Sequence, residues 1–483
     1  MHYSAIVFLF GVLNMMFSLF MLPPMAVGWW YEDGEVLPFA WAFAIMLGLG
    51  LLCWLPVRHR LPELRHRDGL LIVTLFWVLL GILGALPLVF SDCPHMRFVD
   101  AVFESVSGLT TTGATVLVGI DSLPHAINYY RAQLCFMGGM GIVVLAVALL
   151  PMLGIGGMQL YRAETPGPMK DEKLTPRITE TAKKLWYVFA GLNAACALAF
   201  WLAGMDWFDA TCHAFSTLAL GGFSTHDASL GYYHSAAIEI VAGVFTLLAG
   251  MNFALHFLAW RYRSLKVYWG DPELRLYLWV MGVLILLTFI MLYSNGTFPL
   301  WESAYHAFFQ APSIIADNGL VTTGYPDSWP TLLPLILMLG SFFGGCAGST
   351  GGAIKSIRFL LLYKLSMREI MLLIHPSARV AIKLGPRLVE ERVVSAVWGF
   401  YFFYILVYCL FSVALVATGL DLVTSFGSVA GCINNMGVGL GATAANFGEI
   451  NDSAKWLLTA SMLVGRLEVF PFLLLFLAEF WRR

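Results

Sequence analysis

The sequence predicts an all-α integral membrane protein: four repeats of span, pore helix and span around one ion pore, preceded by two extra transmembrane helices. Three observations predict it. The first is solvent class. Of 483 residues, 59% are hydrophobic and 12% charged, and the mean hydropathy is +0.77, more apolar surface than a water-soluble fold can hide. The second is a Gly-centred pattern that occurs four times, each copy after an amphipathic stretch and before a long apolar one. The copies are Thr110-Thr111-Thr112-Gly113-Ala114-Thr115, Leu220-Gly221-Gly222-Phe223-Ser224, Asp317-Asn318-Gly319-Leu320 and Asn435-Met436-Gly437-Val438-Gly439. Aligned on Gly113, Gly222, Gly319 and Gly437, they share a small residue twelve positions back (Ala101, Ala210, Ala307, Ser425) and another six back (Ser107, Ser216, Ser313, Gly431). The third is charge segregation. Most of the 28 Lys and Arg fall at five places, 58–67, 162–184, 261–275, 355–392 and 482–483.

Residues 1–66 read as a two-helix preface. The apolar stretch from Ile6 to Trp30 lacks a basic start and runs into Glu32-Asp33-Gly34-Glu35 without a small-residue cleavage site, so it reads as a transmembrane helix, kinked at Pro23-Pro24, and not as a signal peptide. Four repeats follow, at 67–184, 185–270, 271–390 and 391–483. Their paired spans lie near 69–90 and 132–160, 185–204 and 236–259, 274–294 and 331–363, and 393–417 and 454–478. Between each pair sits a short segment: Phe98 to Leu109, Trp207 to Ala219, Leu300 to Ala316, Leu422 to Ile433. A hydrocarbon core of about 30 Å needs roughly 20 helical residues, so these segments must enter the membrane and return. Irregular backbone at that depth is tolerated only where protein encloses it or water lines it.

By the positive-inside rule the five basic places are cytoplasmic, as are both termini, and the turns at Glu32, Asp92, Asp121, Asp227, Asp327 and Asp452 face out. All four repeats then insert in the same sense, which suits a ring around one axis; inverted-repeat carriers need opposite senses. Each short helix points its C-terminus, with about half a negative charge, at that axis. The turns that follow offer backbone carbonyls in place of hydration water, and Gly keeps side chains out of the lumen. The candidate ion-binding residues are Thr111, Thr112, Gly113, Leu220, Gly221, Gly222, Asp317, Asn318, Gly319, Asn434, Asn435, Met436 and Gly437. Asp317 is the odd member, either a lumen-facing carboxylate that strengthens cation binding or a locally paired structural residue.

The stretch Gly344-Gly345-Cys346-Ala347-Gly348-Ser349-Thr350-Gly351-Gly352 is not a phosphate loop, since it lacks Gly-Lys-Ser/Thr and lies inside an apolar span. It reads as the break in a helix and a candidate gate. Arg466 lies near the middle of the last span, where a charge costs about 2.5–3.5 kcal/mol and should face the bundle interior; it is a candidate electrostatic barrier against that loop. Glu468 is no obvious partner for it, and His226 and Glu104 read as structural or vestibule residues. Single Gly residues such as Gly138-Gly139 and Gly154 to Gly157 mark close helix packing. Eight Cys without CxxC pairs imply neither a disulfide framework nor a metal site. Paired carboxylates, nucleophile arrangements and metal clusters are missing, so no enzyme is expected. The functional reading is cation conduction, with an ion-coupled (H⁺ or Na⁺) carrier as the alternative.

The motifs TTTGAT at 110–115, GGFSTHD at 221–227, GGCAGSTGG at 344–352 and GRLE at 465–468, with MQLYRAE at 158–164 and PGP at 166–168, make the chain resemble the Trk/Ktr/HKT superfamily of potassium transporters. Within it the likeness is to the bacterial Trk membrane subunits. The resemblance covers essentially the whole chain. It implies K⁺ as the ion held in the filter, the four filter glycines named above, and a homodimer with one pore per protomer. It also implies a TrkA-like cytosolic ring that binds NAD or ATP and regulates the pore, and a place in the bacterial inner membrane; lipid but no nucleic acid is expected as a partner. Asp317-Asn318-Gly319-Leu320 stands where a Thr-Ala-Gly-Phe-like run is usual, and Val438 where Pro is often found. Within the family, the DNGL run at 317–320 and the INNMG run at 433–437 resemble the TrkG branch more than the TrkH branch.

Overall fold

The computed structural model describes residues 3–58, 66–148, 174–378, 380–385 and 387–481. The MQLYRAE and PGP motifs, Gly154 to Gly157, much of the basic stretches 58–67 and 162–184, and Arg482-Arg483 lie outside the described residues. Within them the chain is helical except for loops and one two-residue antiparallel hairpin, Lys383–Leu384 against Arg387–Leu388. Six described helices are long and apolar enough to cross a membrane: Ile6–Tyr31, Val36–Trp54, Leu71–Phe90, Ala182–Leu202, Pro272–Ser294 and Val393–Val416.

The preface is the expected helix pair. A 3-10 turn, Leu19–Met21, joins Tyr3–Ser18 to Leu22–Tyr31, so Pro23 and Pro24 sit in a first turn where a missing N–H costs no hydrogen bond. The pair approaches closely through Gly11 and Gly50, each of which leaves no room for a Cβ beside the other's carbonyl.

All four short helices form: Phe98–Leu109, Trp207–Ala219, Leu300–Ile315 and Leu422–Ile433. Asp206 and Asp421 cap two of them by accepting from the N–H groups of Phe208 and Thr424, and Asp100, Asp209 and Glu302 sit in the first turns of the other two and the second, where carboxylates complement the dipole. The small residues twelve positions before each turn glycine, Ala101, Ala210, Ala307 and Ser425, are all buried.

The second helices differ from the expected continuous spans. His125–Ala148 runs unbroken to the end of its described stretch. The span expected at 236–259 bends by 93° between Ala236–Ala249 and Phe253–Tyr262, because Asn252 caps a new helix by accepting from the Ala254 N–H. The third breaks as expected, into Leu332–Ser341 and Ser356–Ile374. The span expected at 454–478 ends at Arg466 and resumes at Phe470–Leu474, with Glu468 and Val469 at positive φ. Glu468 turns aside to meet Arg358 and, at 3.6 Å, Lys355.

Charged clamps join neighbouring repeats. Arg131 Nε donates to Glu104 at 2.8 Å, and both are essentially fully buried. Arg131 Nη1 also reaches the Ser224 carbonyl, and its guanidinium lies over Phe223, both in the second repeat. Glu239 meets His306 at 2.8 Å between the second and third repeats, Arg358 meets Glu468 between the third and fourth, and Lys455 meets Asp100 at 2.6 Å between the fourth and first. Leaving one partner of a buried pair unmatched costs about 3–5 kcal/mol. Arg131→Leu should therefore lower the unfolding temperature in detergent sharply, and Glu104→Leu/Arg131→Leu should recover part of the loss; a double variant worse than the single one would contradict this.

Candidate functional site

The four glycine turns share one backbone construction. The residue two before each glycine is left-handed (Thr111 φ 52, Leu220 φ 53, Asp317 φ 65, Asn435 φ 58), and so is the glycine (Gly113 φ 83, Gly222 φ 69, Gly319 φ 78, Gly437 φ 82). The residue one before it donates its N–H to the carbonyl six before the glycine: Thr112 to Ser107, Gly221 to Ser216, Asn318 to Ser313 and Met436 to Gly431, at 2.7 to 2.8 Å. This is a Schellman ending, in which a left-handed residue turns the chain back to satisfy a carbonyl of the last helical turn. It explains the small residue six positions back. Ser313 Oγ donates to the Leu320 carbonyl, and a Cβ on Gly431 would collide with the Val438 carbonyl, so the returning strand passes directly over that position.

The turns then close on one another. A Cβ on Gly113 would lie within 3 Å of the Gly221 carbonyl, one on Gly222 within 3 Å of Asn318 O, one on Gly319 within 3 Å of Met436 O, and one on Gly437 within 3 Å of Thr112 O. The order runs first to second to third to fourth and back to first, a closed ring of glycine and carbonyl around a single axis. Side chains brace it from behind. Asn435 Nδ2 donates to Thr112 Oγ1 and to the Met462 carbonyl, Asn318 Nδ2 to Thr246 Oγ1, and Asn434 Nδ2 to Ser341 Oγ, while Tyr404 donates to Asn434 Oδ1.

The glycine-rich stretch lies against the C-terminal ends of the short helices. Thr350 Oγ1 donates to the Leu218 carbonyl, the Ala353 N–H donates to Asn434 O, Gly351 lies against Ala316 O and the Leu220 side chain, and Gly352 lies against Asn435. Its base is anchored by Cys346 N–H to Gly250 O, Phe253 N–H to Gly348 O, and Ser356 N–H to Gly345 O. Gly344 and Gly348 take positive φ, Gly345 packs against Gly250, and Ser349 Oγ has no partner among the described residues. Arg466 is buried and reaches the same loop: Nη1 donates to Thr350 O at 3.0 Å and Nη2 to Gly138 O at 3.4 Å. The Asp317 carboxylate lies beside Gly344. Thus the structure gathers every sequence-predicted site residue into two adjoining layers, the ring and the loop.

Two contributors, Glu273 and Asn252, escaped sequence reading. Glu273 accepts from the Ala347 N–H and Ser356 Oγ, both at 2.7 Å, and so pins the loop from the first span of the third repeat. It follows Pro272 at a helix start, where an acid is expected for the dipole alone, so its sequence carried no distinct signal. Asn252 packs its side-chain amide against Gly348. Gly138, read from the sequence as a close-packing residue, lies so near the Leu109 carbonyl that a Cβ there would collide with it.

Spans paired around short helices, whose glycine turns close a ring of carbonyls, define a membrane transport protein. The TrkH family model, described as "Cation transport protein", matches residues 38–483, and the chain belongs to that family of transporters. It is 51% identical over 488 residues to the Trk system potassium uptake protein TrkH of Vibrio parahaemolyticus, covering 100% of both chains. It is equally 51% identical to TrkH of Escherichia coli, again over 100% of both, and 46% identical to TrkG of Escherichia coli over 100% of this chain and 99% of that one. The Vibrio parahaemolyticus potassium transporter TrkH, solved by crystallography, superposes with a TM-score of 0.92 at 48% identity over 100% of both chains. Overall identity thus favours TrkH over TrkG, against the branch order drawn from the third and fourth turns: a few residues at one site do not follow the average of the chain.

At the acidic turns, His226 bridges Asp121 of the first repeat and Asp209 of the second (Nε2 to Asp209 at 3.0 Å), stacked on Tyr232 and near His213 and Tyr233. Burial opposes its charging, but bonds to Asp209 and Asp121 outweigh that and raise its pKa above the usual imidazole value. A raised folded pKa adds stability that is complete below the unfolded value, about 6.5, and is lost as pH rises through the folded one. Unfolding temperatures of the protein and His226→Gln should therefore differ most at mildly acid pH and converge in alkali. At the ring, Gly319→Ala meets a left-handed penalty of about 1–2 kcal/mol in addition to the collision with Met436 O. Transport should fall by at least about tenfold in protein that still elutes as a single species; retention of full transport would contradict the ring's tightness.

Proposed function

We propose that the protein takes up K⁺ across the bacterial inner membrane through the axis of the glycine ring. The carbonyls of Thr111, Thr112, Gly113, Leu220, Gly221, Gly222, Asp317, Asn318, Gly319, Asn434, Asn435, Met436 and Gly437 replace hydration water in this reading. The observation that carries it is the closed order of contacts, each turn's glycine against the carbonyl of the next. The name shared by the relatives, potassium uptake protein, supports K⁺ as the ion. An inward flow of K⁺ needs no motor in the chain, since one charge moving through about 100 mV is worth about 2.3 kcal/mol.

The loop from Gly344 to Gly352, with Arg466 on Thr350, is the gate in this reading. Gly344, Gly345, Gly348, Gly351 and Gly352 give it conformational freedom, Thr350 gives it a side-chain bond to the Leu218 carbonyl beside the Ser349 hydroxyl, unmatched among the described residues, and the guanidinium sets an electrostatic barrier. The repeats at 67–184, 185–270, 271–390 and 391–483 then act as four walls behind the preface 1–66, with both termini in the cytoplasm. Two copies form a homodimer over a cytosolic TrkA-like ring, whose nucleotide state moves the loop.

The test is growth at low K⁺ of a bacterium deficient in K⁺ uptake. Expression of the chain with a Trk regulatory subunit should rescue growth, expression alone should rescue less, and no rescue in either case would refute the reading. In proteoliposomes, Arg466→Ala should raise K⁺ flux in protein that remains folded; equal or lower flux would reduce Arg466 to a structural role.

A further inference from the structure

Two buried ionisable side chains touch the same loop, and neither has all of its polar atoms matched among the described residues. Asp317 is wholly buried, and neither carboxylate oxygen has a hydrogen-bond partner among the described residues. Its Oδ2 lies beside Gly344, where the chain leaves the helix Leu332–Ser341 at φ 65. Arg466 holds Thr350 O and Gly138 O, while its Nε has no partner among the described residues. Lys355, another cation on this loop's flank, already has Glu468 at 3.6 Å.

An unmatched buried carboxylate is costly in a low-dielectric interior. The equivalent residues of the other turns avoid that cost: Leu220 is apolar, Thr111 is an uncharged hydroxyl, and Asn435 donates to Thr112 and Met462. Only the third turn holds an ionisable side chain at this position. A guanidinium is the group whose planar donor fork fits a carboxylate best, and Arg466 currently makes two bonds to neutral carbonyls, one of them the longer 3.4 Å contact. The first and last residues of the loop meet beside Asp317, with Gly344 in contact with Ala353 and the Gly352 carbonyl. Displacing the loop therefore releases Arg466 from Thr350 and uncovers Asp317 in a single movement.

We propose that Asp317 is the alternate partner of Arg466, and that opening the gate moves the guanidinium from the Thr350 and Gly138 carbonyls to the Asp317 carboxylate, away from the ion's path. The idea rests on the pore reading above. Asp317 is then a positioning residue for the gate, and its carboxylate does not ligate the transported ion. Without a carboxyl group at this position the released guanidinium has no acidic partner to take, so the Asp317→Asn chain should open less readily.

The test is K⁺ flux and the reversal potential under opposed K⁺ and Na⁺ gradients, measured on the full chain in proteoliposomes. The set is the unaltered protein, Asp317→Asn, Asp317→Glu, Arg466→Gln and the Asp317→Asn/Arg466→Gln double variant. Asp317→Asn should cut flux by about fivefold, a coupling of the size that interacting residues show. Asp317→Glu, which keeps the charge, should retain most of the flux. In the Arg466→Gln background the Asp317→Asn change should have little further effect, and the reversal potential should not move in any variant. Equal losses in both backgrounds, no loss at all, or a shifted reversal potential would each overturn the proposal, the last by making Asp317 an ion ligand. If Asp317→Asn does not elute as folded protein, Asp317→Thr replaces it under the same criteria. Absence of flux in the unaltered protein would defeat the pore reading itself; flux with independent effects of the two residues would defeat only this inference.

Discussion

Everything at the centre of this protein depends on how four helices end where there is no bulk water to receive their last carbonyls. Unsatisfied backbone in such surroundings costs several kcal/mol per group, so a helix that stops halfway must dispose of its final turn internally. The Schellman ending does so with one backbone bond, from the residue before each glycine to the carbonyl six before it. It also reverses the chain so that each turn's glycine meets a carbonyl of the next turn. The two left-handed residues in each turn are the conformational cost of that arrangement. Gly meets it easily, Asp317 and Asn435 tolerate it, and Thr111 and Leu220 are held in it by the packing around them.

A ring of contacts this tight needs its four walls kept in register, and the charged clamps serve that end. Each seam has one: Arg131 reaching from Glu104 to Ser224, Glu239 with His306, Arg358 with Glu468, Lys455 with Asp100. Such pairs contribute little net stability over apolar packing, but they penalise any arrangement that separates the partners. The third-to-fourth clamp differs in place. It sits at the base of the glycine-rich loop and uses Glu468, which takes that position only because the last helix breaks after Arg466. The same break that frees Glu468 leaves Arg466 at the final helical turn, within reach of Thr350.

The four copies are therefore alike in backbone and unlike in the side chain two before the glycine. Thr111 and Asn435 pack beside Gly138 and Gly465 of their own second helices, whereas the loop stands in that place for the third copy, with Asp317 against Gly344. The carboxylate and the helix break that forms the loop thus occur in the same wall. This juxtaposition brings the ring and the loop into contact at the third wall.

Much of this was legible in the amino-acid sequence. The apolar spans, the four short helices, the glycine register and the break at 344–352 all follow from local rules of length, hydropathy and backbone freedom, which need no knowledge of neighbours. The small residue six before each glycine was visible as a pattern, but its reason, a strand passing overhead, was not. The turn at Glu468 toward Arg358 and the anchoring of the loop by Glu273 depended on partners far along the chain, because a side chain's bond across helices leaves no periodic trace. The sequence by itself determined that four turns would face one another and that Asp317 would be the exception among them. Only the tertiary structure decided that its carboxylate would lie unmatched beside the loop that Arg466 holds, since that follows from how the walls pack and not from any one of them.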